Sequence, residues 1–358
     1  MEMEMEKEKG VGTRLRTVLH KLPGLLLYED GVVERCPPPL LPASSEFDVD
    51  GVATKDVTIN PDKGTWVRIF LPRSAAHDEI PSSSRSAPLV LHFHGGGMCF
   101  GSPAEPMYHI FCSRMASASN TIWISIHYRL APEHRLPAQY QDCFEALCWL
   151  HSQFATTAKL SPISTSGHRE PWELEEEDTI SGERERWVVD YGDPARVFCV
   201  GESAGATILH FVALKMVKHE WNPLNIRGLI FVDIGVLTDP LPEMTPFTDS
   251  TLTTKMMADS VALSLPVGGK LGDALLDCLH PDSKCHFKLG WPPILLLSAE
   301  RDLLREGVLR YYTFLKEAGK DAELYESQGK GHCFHLVERE SEAAQLREST
   351  MVLFMRKL

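Results

Sequence analysis

From Leu89 onward the chain repeats one pattern: a short, continuous apolar run, a turn, then a longer segment with helical spacing. The apolar runs are Leu89–Phe93, Thr121–His127, Arg196–Val200, Ile226–Ile234, Ile294–Ser298 and Ala322–Tyr325. Runs of this length without polar alternation read as strands buried on both faces. The longer segments are Ala138–Phe154, Ala204–His219, Leu303–Ala318 and Glu338–Leu358. In the first of these, Phe144, Leu147, Cys148 and Leu150 fall on or near one helical face. Strands alternating with helices predict an α/β fold, a mostly parallel central sheet flanked by helices.

Before residue 89 the pattern is looser. Residues 1–20 are charged and are expected to be mobile or loosely helical. Leu22–Leu27 is apolar and runs into a turn at Tyr28–Gly31, and Pro37, Pro38, Pro39 and Pro42 mark a loop. Thr54–Asn60 and Trp66–Leu71 read as two strands around the turn Pro61–Gly64, and the Ser- and Pro-rich stretch 74–86 as a surface loop. Two later segments break the rhythm. Residues 155–190 are Ser/Thr-rich and then acidic, which predicts an exposed insertion. Residues 238–290 are irregular, with a short helix predicted near Thr253–Leu263. The expectation is one domain over 21–358, capped by 21–45 and 238–290.

Composition narrows the class. The chain has 358 residues, 43% of them hydrophobic, enough for a sizeable core. A net charge of −13 argues against nucleic acid as a partner, which would call for a basic face. No run approaches the roughly 18 apolar residues of a membrane span, so no membrane partner is expected. The start, MEMEMEKEKG, lacks the basic and apolar pattern of a secretory signal. The nine cysteines are odd in number and show no CxxC spacing, which fits free thiols and a cytoplasmic or nuclear protein.

The candidate chemistry sits at strand ends. His94-Gly95-Gly96-Gly97 follows the run Leu89–Phe93. Consecutive glycines allow a tight turn whose N–H groups can face a developing oxyanion. Gly201-Glu202-Ser203-Ala204-Gly205 has the form G-x-S-x-G between a predicted strand and helix, the setting that exposes a nucleophilic serine on a strained turn. Outside that setting the pattern is only a glycine turn. A base should follow the last strand, where His332 and His335 compete. His332 is favoured because it comes directly after the glycine turn, and His335 is expected to pack or bond locally. An acid should end the preceding strand, where Glu300 and Asp302 are both available. Asp302 fits the order Ser, acid, His, although capping the next helix would by itself explain it. The expected triad is Ser203, Asp302 and His332. The expected oxyanion donors are Gly96, Gly97 and Ala204, with His94 and Gly95 supporting the loop. No cofactor and no metal is expected.

These residues carry a resemblance. Tyr28–Arg35, HGGGMCFGS at 94–102, YRLAPEHRLPA at 128–138, VGESAG at 200–205, LSLP at 263–266, DLLR at 302–305 and GHCFHL at 331–336 resemble the plant carboxylesterases, in the hormone-sensitive-lipase-like branch of the α/β-hydrolases. The resemblance implies a serine carboxylesterase acting on small-molecule esters. It extends to gibberellin receptors, which lack the catalytic histidine, and to isoflavanone dehydratases, some with Thr inside the glycine run. His332 and the uninterrupted Gly95–Gly97 favour hydrolysis over both. The chain departs from the family pattern at Glu202, where Asp is usual, and at Ser260 and Val261, where an aromatic pair is common.

Overall fold

The computed structural model describes residues 16–76, 86–155, 161–162, 184–237, 239–245, 247–249, 251–280 and 290–358. Most of the 155–190 insertion, residues 1–15 and 77–85, and 281–289 of the expected cap lie outside the described residues.

The chain begins with three short strands, β1 (Val18–Leu22), β2 (Leu25–Tyr28) and β3 (Val33–Arg35), which form a small antiparallel sheet of their own. Residues 18–20 are therefore strand, where a mobile or helical tail was expected. Pro23-Gly24 supplies the turn, with Gly24 at φ 68°. The remaining elements are β4 (Val52–Asn60), β5 (Thr65–Pro72), α1 (Arg73–Ala76), β6 (Ala87–Phe93), α2 (Pro106–Ser119), β7 (Ile122–His127), α3 (Ala138–Phe154), β8 (Ser161–Pro162) and α4 (Arg186–Tyr191). They continue with β9 (Gly192–Glu202), α5 (Ala204–Met216), β10 (His219–Glu220), β11 (Ile226–Val232), α6 (Thr254–Ser264), β12 (Ile294–Ala299), α7 (Arg305–Glu317), β13 (Ala322–Ser327), α8 (Phe334–Val337) and α9 (Glu342–Lys357).

Eight strands form the central sheet in the order β13-β12-β11-β9-β6-β7-β5-β4. The six from β13 to β7 run parallel, and β5 pairs antiparallel to both β7 and β4. The uninterrupted apolar runs are explained by burial on two faces. In β6, Leu89, Leu91 and Phe93 enter one core, and Val90 enters the other. The first core holds Tyr140 and Leu147 of α3, Ile208 and Phe211 of α5, and Val308 and Tyr311 of α7. The second holds Phe111 and Met115 of α2 with Met351 and Phe354 of α9.

Several boundaries differ from the sequence reading. The helix expected from Glu338 begins at Glu342 as α9, capped by Ser341 Oγ on Ala344 N–H, and the separate single turn α8 precedes the expected start. The helix expected at 303–318 begins at Arg305, because Asp302 to Leu304 form the turn leading into it. Helix α2 was not expected. Its buried side include Ser113 and Ser119 beside Phe111 and Met115, so no clean apolar stripe shows. Pro106 at its start and left-handed Asn120 at its end are the local signals that mark it.

The chain order places β7 and β9 on opposite sides of β6. Connections that leave one strand toward opposite sides open a crevice at the strands' C-terminal ends. The loops after β6 and β9 meet there.

Candidate active site

The glycine loop after β6 folds back on itself: Cys99 and Phe100 N–H both donate to Gly96 O. Gly96 sits at φ 104°, and a Cβ there would lie 2.0 Å from Phe100 O, so only glycine fits. His94 is fully buried, its Nδ1 2.8 Å from Gly95 O and its ring stacked on Tyr128 at 4.2 Å. Burial lowers its pKa to about 3, so it is a neutral donor within the loop. Tyr128 Oη donates to His94 O at 2.8 Å, which ties the YRLAPEH segment to the glycine turn.

After β9 the chain turns sharply into α5. Ser203 takes φ 53°, ψ −121°, outside the relaxed regions for a side chain of its type. Its N–H donates to Val232 O at 2.8 Å, so the neighbouring strand β11 holds the turn. Helix α5 then passes directly against β6. A Cβ on Gly205 would lie 2.0 Å from Phe93 O and 2.4 Å from His94 O. That approach brings the start of α5 beside the glycine loop. The N–H groups of Gly96, Gly97 and Ala204 have no hydrogen-bond acceptor among the described residues. Ala204 lies at the N-terminus of α5, where the helix dipole favours negative charge.

The loops after β12 and β13 supply the other groups. His332 Nε2 lies 2.8 Å from Ser203 Oγ, and His332 Nδ1 lies 2.8 Å from Asp302 Oδ2. Asp302 is buried and its other oxygen accepts Leu304 N–H at 2.9 Å. Glu300, two residues earlier, instead accepts Gly329 N–H at 2.7 Å and does not reach the imidazole. Burial alone would depress the His332 pKa. The facing Asp302 carboxylate outweighs it and holds the imidazole well above its ordinary 6.5.

His335 is fully buried away from Ser203, with Nε2 3.3 Å from Glu202 Oε1. His92 Nε2 approaches the same oxygen at 3.7 Å. Burial would raise the Glu202 pKa, but these two imidazoles lower it to about 2. Sequence reasoning missed His92, and neither its spacing nor its apolar strand announces it. Asp233, His332 and Cys333 are the three side chains close enough together to suggest a metal site among the described residues. Each is already committed. Asp233 pairs with Arg347 at 2.7 Å, His332 is bonded on both nitrogens, and burial pushes the Cys333 thiol up to about 12.

Ser203 and His332 open onto a cavity of about 280 Å³. Its walls are mainly apolar, with Leu22 from the small sheet, Met98 and Met107, Met256 and Val261 from α6, and Leu304. Among the described residues no Lys or Arg lines it, and the one carboxylate there is the buried Glu202.

A family description of the alpha/beta hydrolase fold matches residues 90–336. The chain is similar to probable carboxylesterase 13 of Arabidopsis thaliana, 30% identical over 90% of this chain and 92% of that protein. It is also similar to 2-hydroxyisoflavanone dehydratase of Glycyrrhiza echinata, 29% identical over 92% of this chain and 94% of that protein. Among solved structures it resembles carboxyl esterase 2 of the mycorrhizal fungus Tuber melanosporum. The TM-score is 0.65 at 17% identity, covering 90% of this chain and 92% of that one.

Proposed function

The chain belongs to the plant carboxylesterase family of the α/β-hydrolase fold, and on that premise we propose that it hydrolyses small-molecule carboxylic esters through an acyl-enzyme on Ser203. The observation that carries this reading is the unbroken chain of two 2.8 Å contacts, Asp302 to His332 to Ser203, ending at the cavity.

His332 Nε2 takes the Ser203 proton as Oγ attacks the ester carbonyl. Asp302 keeps the other ring proton on Nδ1 and stabilises the imidazolium that forms. The oxygen that becomes negative is received by the N–H groups of Gly96, Gly97 and Ala204, which have no other acceptor among the described residues. His332 then protonates the departing alcohol, and water repeats the sequence to release the acid. His94 and Gly95 support the loop that presents these donors.

The lining points to uncharged, largely apolar esters. A carboxylate on the ligand would meet no Lys or Arg among the described residues of the lining and would lose hydration. This also weighs against a silent receptor for an acidic hormone. The small sheet at 18–35 and the segment with α6 form the cap over the cavity. The free cysteines of the described residues accord with a cytoplasmic setting.

The test is Ser203→Ala with 4-nitrophenyl acetate and a fluorophosphonate probe. Turnover should fall by about 10⁴-fold or more and labelling should vanish. Retained turnover in the variant would sink the assignment. Water loss from a 2-hydroxyisoflavanone without ester hydrolysis would replace it with the dehydratase reading, which the Glycyrrhiza relative keeps in view.

A further inference from the structure

Of the non-glycine residues with positive φ, three lie just past the C-terminal ends of β9, β11 and β13: Ser203 at 53°, Asp233 at 48° and Cys333 at 47°. Such backbone costs of order 1–3 kcal/mol per residue and persists only where its surroundings enforce it. Ser203 is held by Val232 O, as described above. Cys333, the residue directly after His332, is held by a side chain. Its N–H donates to Asp233 Oδ2 at 2.9 Å.

Asp233 is fixed in turn. It is fully buried at the end of β11, and its own N–H donates to Leu297 O of β12 at 2.8 Å. The same Oδ2 accepts Arg347 Nη1 at 2.7 Å. Arg347 reaches in from α9 and is itself fully buried. Its guanidinium also donates to Ser298 O at 2.6 Å and Ser327 Oγ at 3.2 Å, and lies 4.5 Å over the Phe334 ring. One ion pair thus joins the ends of β11, β12 and β13 to the turn that bears His332.

Stability alone does not account for this. Desolvating two charges costs several kcal/mol per ion, and a well-packed apolar pair of similar volume is often as stable. What an apolar pair lacks is an acceptor for the Cys333 N–H. We propose that Asp233 is a positioning residue for His332: its carboxylate, fixed by Arg347, holds the left-handed turn at Cys333 that aims the imidazole at Ser203. The inference rests on the esterase reading above.

Two double variants isolate the hydrogen bond. Asp233→Asn with Arg347→Met removes the ion pair but leaves an amide oxygen for Cys333 N–H. Asp233→Ala with Arg347→Met removes both. The readout is kcat per active site, titrated with the fluorophosphonate, which a loss of folded protein does not change. The Asn variant should exceed the Ala variant by about tenfold or more with KM alike, since misplacement near 1 Å can cost about 10²-fold. Equal kcat per titrated site in the two would overturn the proposal. Should either double variant not fold, amide exchange of Cys333 in the unaltered protein decides instead. Protection comparable to β11 supports the clamp, and exchange at the rate of exposed loop amides rejects it. Ser203→Ala keeps the two readings apart. If that variant is inactive while the doubles are equal, only the positioning role fails. If it stays active, the esterase reading fails as well.

Discussion

Asp302→Asn is the substitution that bears most directly on the mechanism. The Asp302 carboxylate faces two donors, Leu304 N–H at 2.9 Å and His332 Nδ1 at 2.8 Å. Asparagine has almost the same shape but only one acceptor oxygen. If that oxygen stays on Leu304 N–H, the amide NH₂ faces Nδ1. The imidazole must then leave Nδ1 unprotonated and carry its proton on Nε2, the nitrogen 2.8 Å from Ser203 Oγ. A histidine in that tautomer cannot take the serine's proton. The loss expected of a wrong tautomer in an otherwise intact triad is about 10⁴-fold in kcat. At 1.36 kcal/mol per factor of ten this is ~5 kcal/mol of transition-state stabilisation. The assay is 4-nitrophenyl ester hydrolysis, with kcat and KM measured separately and the melting temperature recorded to confirm folding. Glu300→Gln is the control, because Glu300 bonds Gly329 N–H rather than the imidazole, and it should cost well under tenfold. An Asp302→Asn enzyme retaining a tenth or more of wild-type kcat, or a Glu300→Gln enzyme losing as much as Asp302→Asn, would refute the reasoning.

Two further outcomes follow from the same geometry. The base must be neutral to act, and the Asp302 carboxylate holds His332 well above 6.5, so kcat/KM should climb as pH rises through that elevated value. A pH profile with its acidic midpoint below 6.5 contradicts this. Gly205→Ala would drive a methyl to 2.0 Å from Phe93 O, where both neighbours are backbone and neither can rotate away. Overpacking of a core costs about 1–3 kcal/mol or more, so a markedly lower melting temperature or insoluble protein is expected, and an unchanged melting curve would show that α5 does not cross β6 this closely.

Much of this protein is local in origin and so legible along the chain. The runs around Leu89, Ile124, Phe198, Ile230 and Leu296 declare a doubly covered sheet, since only strands buried on both faces dispense with polar alternation. The elbow at Ser203 and the turn at Gly96 are legible because strand, glycine and helix are contiguous and their geometry closes within a few residues. The strand β1 was hidden by a charged leader and its short length, and α2 by its mixed buried face. Tertiary structure decided what contiguity leaves open. Glu300 and Asp302 share one turn, and only the direction of each side chain separates a loop brace from a partner of His332. His335 and His332 share another, and only the buried Glu202 draws the first away. Asp233 and Arg347 stand 114 positions apart, and nothing in either neighbourhood names the other. Backbone turns follow from steric rules that act over a few residues. Ion pairs and shared hydrogen bonds follow from distance and burial, which exist only once the sheet has brought its strand ends together.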